Sequence, residues 1–276
     1  MRHLRKKKNF ALKSFVVILS AIILSTLGIK AADKFNKNLE DNKSLCPKDM
    51  VYIMSSEGDF CIDKYEVSPS KDCPFINPKN QGETRSNLDL KDCQPVSLKD
   101  KTPWRFVSQN QAMMACARAG KRLPTNKEWY LASLGTPDKN ENWEENDCQV
   151  NNNWGEQPGK TGSAENCISS AGAYDMVGNV WEWVDEEINN GKYNGEEMPQ
   201  QGFVQSADTK GVAIETDLNQ ANENYYNDYL WLKTKGIKGI ARGGYWDNED
   251  EAGIYSLYAV FGPAFSGSGI GFRCVK

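Results

Sequence analysis

Eight cysteines constrain this chain more than any other feature: Cys46, Cys61, Cys73, Cys93, Cys116, Cys148, Cys167 and Cys274. All of them follow an uncharged run at residues 14–29. An even number of thiols beyond an export-type segment reads as four disulfides formed in an oxidising compartment. No pair has the Cys-x-x-Cys spacing of a zinc cluster or a redox centre. Proximity along the chain pairs Cys46 with Cys61, Cys73 with Cys93 and Cys148 with Cys167, which leaves Cys116 for Cys274. Eight cysteines allow 105 connectivities, so proximity alone leaves the alternatives open.

The segment ahead of the cysteines sets the compartment. Residues 1–13 form a basic head with Arg2, Arg5, Lys6, Lys7, Lys8 and Lys13. Residues 14–30 then read as a signal anchor or a signal peptide. A small-x-small cleavage site is missing, because Ile29 precedes Ala31 by two places and Lys30 precedes Ala32 by two. An uncleaved anchor is therefore favoured, with the head in the cytoplasm and the rest outside; cleavage would instead give a secreted protein. Residues 31–45 are a polar stalk, and residues 46–276 are the expected domain.

Beyond residue 30 the chain carries 26 basic and 37 acidic residues, a balance opposed to nucleic-acid binding. Its single histidine is His3, in the basic head. Ser-His and Cys-His nucleophile pairs, histidine zinc sites and histidine-bound iron are thereby excluded from the exported domain.

Within the domain, Tyr174-Asp-Met-Val-Gly-Asn-Val-Trp-Glu-Trp183 is the densest stretch. Trp181 and Trp183 alternate with Val180, Glu182 and Val184, the period of a half-buried strand whose acids face water; alternatively, Asp175 and Glu182, on either side of the turn that follows Val177, read as the flanks of a hard-cation site. Gly178-Asn179 reads as a tight turn, since both residue types tolerate positive φ. Two helices are marked by capping boxes. Ser108-x-x-Gln111 opens one that Gly120 closes, and Thr125-x-x-Glu128 opens one that stops at Gly135. Strands are expected near residues 46–53, 58–66, 239–246, 252–260 and 270–276. Residues 68–102, 136–172 and 187–238 read as irregular, with a helical turn at Tyr225–Trp231. Few helices, short strands and long disulfide-linked loops make an irregular α+β domain.

Four ordered motifs carry a resemblance: Gly120-Lys-Arg-Leu-Pro-Thr-Asn-Lys-Glu-Trp129, the Tyr174–Trp183 stretch, Ala241-Arg-Gly-Gly-Tyr-Trp246 and Gly271-Phe-Arg-Cys274. Together they resemble the formylglycine-generating enzyme (sulfatase-modifying factor) domain, a variant of the C-type lectin fold, over about residues 46–276. In such folds a disulfide commonly joins the first helix to the last strand, which fits Cys116 with Cys274. The resemblance implies a calcium ion held by Asp175, Gly178, Val180 and Glu182, two side chains and two carbonyls of the oxygen-only kind that Ca²⁺ takes. A second calcium position would fall near Asn152 and Asn153.

The resemblance also shows a departure. The enzymes oxidise a substrate cysteine with copper held by two cysteines, and those positions, counted from Arg242, fall here on Asn248 and Gly253. Neither supplies a thiolate, so no copper is expected and oxidase activity is disfavoured. The iron-dependent sulfoxide synthases of the superfamily need histidines that this domain lacks.

What remains is a binding scaffold, similar to the variable proteins of diversity-generating retroelements. In those, a segment between Arg-Gly-Gly and Gly-Phe-Arg displays ligand-contacting residues. Arg242-Gly-Gly, Ala252-Gly-Ile, Leu257 and Pro263 look like framework. Tyr245, Trp246, Asp247, Asn248, Tyr258, Val260, Phe261, Phe265, Ser266 and Ser268 are the expected ligand surface, unless Tyr258, Val260 and Phe261 are buried strand residues. Aromatics beside small polar residues suit a protein or glycan ligand. The expectation is a non-catalytic, membrane-anchored extracytoplasmic binding domain. Its alternative is an enzyme of the same superfamily, an oxidase or maturation factor.

Overall fold

The computed structural model describes residues 45–151, 155 and 157–276. The basic head, the uncharged run, the stalk up to residue 44, and Asn152, Asn153 and Trp154 lie outside the described residues. Among the described residues no helix is long and apolar enough to cross a membrane.

The unit Cys46–Lys276 is built on a nine-stranded sheet. Its strands are β5 (Trp181–Asn189), β6 (Lys192–Tyr193), β7 (Glu196–Glu197), β8 (Gly202–Ala207), β9 (Ala213–Asp217), β10 (Tyr229–Leu232), β11 (Ile237–Arg242), β12 (Leu257–Ala259) and β13 (Ile270–Phe272). The order is β7-β6-β5-β11-β12-β10-β8-β9, with β13 added to β5. Only the β10–β12 and β13–β5 pairings are parallel. Two hairpin-sized sheets flank this one: β1 (Met50–Ile53) with β2 (Phe60–Asp63), and β3 (Val67–Pro69) with β4 (Pro95–Ser97).

Strand β5 explains why the tryptophans cluster. It pairs with β6, β11 and β13 and is covered on both faces. Trp181 and Trp183 point into one apolar cluster with Trp104, Phe272 and Cys116. Val184 and Ile188 point into the other, with Ile240, Leu257 and Trp129. Two helices with apolar faces pack on these clusters. α2 (Gln109–Arg118) gives Ala112, Ala115 and Cys116 to the first, and α3 (Asn126–Ser133) gives Trp129 and Ala132 to the second. Both helices begin with complete capping boxes, at Ser108/Gln111 and Thr125/Glu128, which satisfy otherwise orphaned N–H groups. The half of β5 that carries the tryptophans is buried on both faces, so the expectation of a half-buried strand with its acids in water is corrected for Glu182, while Asp185 and Glu187 further along the strand are exposed. Residues 181–184 are all buried, and Glu182 is 1% exposed.

Two further expectations are corrected. Residues 68–102 contain a helix, α1 (Gln81–Asp89), capped by the Asn80 side chain on the Glu83 N–H. It buries only Thr84, Asn87 and Leu88, so it carries almost no apolar periodicity. Residues 187–238 hold five whole strands, β6 to β10, with the end of β5 and the start of β11. These strands are short and half-exposed, which hides the alternation. Only Glu223–Tyr225 there makes a helical turn, a single turn of 3-10 helix, while Tyr229–Leu232 is strand.

Four disulfides close: Cys46–Cys61, Cys73–Cys93, Cys116–Cys274 and Cys148–Cys167. The third ties α2 to the residues after β13. The C-terminus is held further by paired backbone bonds between Cys61 and Lys276 and between Arg122 and Val275. Three helices, short strands and long stapled loops form the irregular α+β, C-type lectin-like architecture that the four motifs imply.

Candidate functional site

The Gly178-Asn179 corner is the hub of the domain. Both residues take positive φ, 75° and 56°. A β-carbon on Gly178 would collide with the Gln149 carbonyl, so glycine is required there. The corner holds the turn after Arg242 by main-chain bonds, Gly178 N–H to Gly243 O at 3.0 Å and Trp246 N–H to Asn179 O at 3.3 Å. Three more main-chain bonds, Glu249 N–H to Val150 O, Phe106 N–H to Gly267 O and Trp181 N–H to Gly269 O, fasten the rest of the segment that returns to β13.

Behind the corner lies a buried polar centre. Arg273, with no exposed surface, donates from Nε to Glu182 Oε2 at 2.6 Å and from Nη2 to Glu182 Oε1 at 2.5 Å. It also reaches the carbonyls of Asp63 and Tyr174. Trp129 Nε1–H completes Glu182 at 2.7 Å. Asp175 accepts the Gly162 N–H at 2.6 Å. Glu66, also fully buried, accepts from Asn179 Nδ2 at 2.6 Å and from the Val180 N–H at 3.3 Å. Three buried carboxylates thus face one guanidinium. Burial, with repulsion from its acidic neighbours, drives the Glu66 carboxyl well above the usual carboxylate range, and burial pushes Asp175 up to about 7.

This chemistry can be tested against the calcium that the fold family implies. The donors are oxygen only, the negative charge exceeds that of Arg273, and the buried Asn179 Oδ1 has no hydrogen-bond partner. These features suit a hard cation at Asp175 and Asn179, whereas both Glu182 oxygens are already held by Arg273 and Trp129 and would have to be shared with it. Among the described residues no group of three or more His, Cys, Asp and Glu could hold a metal by itself. A cation here would therefore need the Gly178 and Val180 carbonyls together with Asp175 and Glu182.

A second buried acid pair lies beside Gly253. Asp138 Oδ2 accepts the Ile254 N–H at 2.9 Å, and Asp228 Oδ2 accepts the Tyr255 N–H at 2.6 Å. The other oxygen of each is buried without a partner. Burial pushes Asp138 up to about 8 and drives Asp228 well above its ordinary value, the latter helped by repulsion from Asp138. A β-carbon on Gly253 would meet Asp228 Oδ1 and stand 2.5 Å from Asp138 Oδ2. At the other copper-ligand position, Asn248 Oδ1 accepts the Tyr245 N–H at 2.9 Å and shapes the turn.

Arg242 is framework. Fully buried, it donates to the carbonyls of Ser256, Gly211 and Ile254 and to the Asn126 side chain, and lies over the Trp129 ring. Ala252, Ile254 and Leu257 are likewise buried, whereas Pro263 is half-buried.

None of the ten residues read as a ligand surface is fully buried. Asp247, Phe261 and Ser268 are exposed, and Tyr245, Trp246, Asn248, Tyr258, Val260, Phe265 and Ser266 are half-buried. Tyr258, Phe261 and Phe265 form a run of rings, Phe261 and Phe265 stacked at 4.1 Å. The structure adds two tryptophans that sequence reasoning assigned elsewhere, Trp181 and Trp231. They line a pocket of about 350 Å³ with Tyr245, Tyr258 and Phe265. Trp231 lay in plain view in the Tyr-Tyr-Asn-Asp-Tyr-Leu-Trp run, but its place beside Tyr258 depends on the parallel β10–β12 pairing.

Residues 54–276 match the family model described as the sulfatase-modifying factor enzyme 1-like domain. Over 98 residues, 29% of this chain and 32% of the relative, the sequence is 34% identical to the inactive C-alpha-formylglycine-generating enzyme 2 of Bos taurus. The match thus spans about a third of that relative's length. The fold is similar to the Major Tropism Determinant M1 variant (TM-score 0.48, 16% identity, 84% of this chain and 52% of that one). It is also similar to Treponema denticola variable protein 1 (TM-score 0.41, 14% identity, 82% and 98%).

Proposed function

Because the chain belongs to the sulfatase-modifying factor enzyme 1-like domain family, we propose that it keeps that scaffold for binding rather than oxidation. In this reading it is a non-catalytic, membrane-anchored extracytoplasmic domain. It recognises a protein or glycan ligand through the segment from Tyr245 to Ser268. The observation that carries the reading is the contrast within that segment. Its framework residues Ala252, Gly253, Ile254 and Leu257 are buried and Pro263 is half-buried, while the ten candidate contact residues stay half-buried or exposed.

The positions that hold copper in the oxidases argue the same way. Asn248 is committed to a turn, and Gly253 is packed against two acids that leave no room for a side chain. The name of the bovine relative, an inactive enzyme, agrees with loss of chemistry on this fold. Calcium belongs to the reading as a brace: Asp175, Glu182 and the carbonyls of Gly178 and Val180 would hold it, and its charge would offset the buried carboxylates.

The test is to incubate the full chain with copper and a sulfatase-type cysteine peptide and to look for formylglycine by mass. No product is expected, and product would overturn the reading. The coding DNA for residues 242–273 offers a check of the variable-protein resemblance. A nearby near-copy differing only at adenines would identify the segment as diversified.

A further inference from the structure

The pocket beside β12 has a composition that narrows the ligand class. Five aromatic side chains wall it, Trp181, Trp231, Tyr245, Tyr258 and Phe265, and no charged side chain lines it. The walls meet at steep angles. Trp231 stands edge-on to Trp181 at 84° and 5.3 Å, and Tyr258 flanks the same indole at 5.5 Å and 37°. Gly267 and Gly269 let two rings lie against the backbone, since β-carbons there would stand 3.2 Å from Phe265 and 2.7 Å from Tyr245. Trp181 is 5% exposed and packs against Trp231 and Tyr258, so the accessible aromatic surface comes mainly from Trp231, Tyr245, Tyr258 and Phe265, π systems of the kind that attract a cation.

Its surroundings are acidic. Asp247 follows the Tyr245-Trp246 pair, and Glu249-Asp250-Glu251 forms the next turn. After burial, the charge that most raises the Tyr245 hydroxyl is the Asp247 carboxylate, and for Tyr229, which packs against Trp231, it is Glu251. One cation touches the rim. Arg105 Nη1 donates to the Ser268 carbonyl at 3.3 Å, but Arg105 is 8% exposed and is held beneath the surface.

The hydrogen-bonding groups of the box are all neutral. They are the Tyr245 and Tyr258 hydroxyls, the Trp181 and Trp231 indole N–H groups, Asn248 and Ser268, and Asn248 Oδ1 is already engaged by the Tyr245 N–H. A neutral pyranose gains nothing from the acidic surroundings, and a plain ammonium must give up tightly held water. A guanidinium is more weakly hydrated and stacks on aromatic faces, so it loses least on entry. A phosphate-bearing headgroup would meet the acidic rim.

Resting on the binding function proposed above, we propose that this aromatic box receives an arginine side chain of a protein partner, with Trp181 and Trp231 as its walls and the Asp247 and Glu249–Glu251 turn supplying long-range attraction. The site extends the ligand surface from the C-terminal segment onto β5 and β10.

The experiment titrates the full chain with three capped tripeptides, Gly-Xaa-Gly, in which Xaa is arginine, citrulline or lysine, and separately with tetramethylammonium and methyl glucoside. Tryptophan fluorescence and line-broadening of the peptide report binding. Arginine should bind about ten-fold more tightly than citrulline, its neutral isostere, as expected of a desolvated cation–π contact. Trp231→Ala should remove that preference. Asp247→Asn with Glu251→Gln, which leaves the rings in place, should weaken arginine binding several-fold and flatten its salt dependence. Equal binding of arginine and citrulline, preference for tetramethylammonium or the glucoside, or no binding of any peptide would each overturn the arginine assignment. None of these outcomes yields formylglycine, so the binding-versus-oxidation question is decided separately.

Discussion

Replacing Arg273 by methionine should be among the most damaging single changes in this domain. The methionine fills much of the volume but removes the guanidinium that pairs with Glu182 and faces Glu66 and Asp175. Glu182 would lose two charge-assisted bonds, at 2.6 and 2.5 Å, and keep only Trp129. Arg273 and Glu182 are 0% and 1% exposed, so water cannot substitute. Breaking a buried pair from one side costs about 3–5 kcal/mol, most of it the penalty of leaving a bare charge inside. Against a total domain stability of about 5–15 kcal/mol, that is a large fraction. Urea unfolding under non-oxidising, non-reducing conditions would measure it. The decisive arm is the double variant Arg273→Met with Glu182→Gln. Removing the orphaned charge should recover at least about 1 kcal/mol of the loss. A single variant within about 1 kcal/mol of the parent, or a double variant less stable than the single, would refute the argument that the pair's energetics are electrostatic.

Three other outcomes follow from the same physics. Calcium at a hundred times its dissociation constant should stabilise the domain by about 2.7 kcal/mol relative to chelator, and Asp175→Ala should abolish the increment; equal unfolding midpoints with and without calcium would remove the ion from the account. Because Asp138 is pushed up to about 8 and Asp228 is also raised, the folded state binds protons that the unfolded chain releases above about 4. Stability contributed by this pair is therefore present below that pH and lost as pH rises towards 8; Asp228→Asn should make the decline shallower, and parallel pH profiles for the two proteins would contradict it. Loss of Cys116–Cys274, which spans 158 residues, should cost more than loss of Cys73–Cys93, which spans 20, by about 5 against about 3 kcal/mol on loop entropy; calorimetry of the two Cys→Ala double variants would compare them, and the reverse order would be inconsistent with that origin.

How much of this was legible depended on where the information sits. The capping boxes at Ser108 and Thr125 and the positive-φ corner at Gly178-Asn179 are local chemistry, and they appear in the fold where the sequence puts them. The helix at Gln81–Asp89 had a cap signature of its own, Asn80 with Glu83, but its buried face is largely polar and gives no period. Strands β6 to β10 escaped because their order in the sheet is set by long-range pairing rather than by alternation within each strand. The same limit applied to the site. Asp175 and Glu182 could be paired from the turn between them, but Glu66 and Arg273 reach that centre from distant parts of the chain, just before β3 and just after β13. Trp231 joins the aromatic box only through a parallel neighbour.

The main-chain fastening of the segment after Arg242 has a consequence for how this surface can change over generations. Gly243, Trp246, Glu249, Gly267 and Gly269 are tied through backbone atoms, which every residue but proline can supply in full. The shape of the loop therefore rests mainly on main-chain atoms, and a side chain such as that of Ser268 can change without loosening how the segment is held, whereas Phe261 also stacks on Phe265. In the binding reading proposed above, exchanges at such positions alter what the surface meets while the hub at Gly178-Asn179 stays fixed, at small cost in stability.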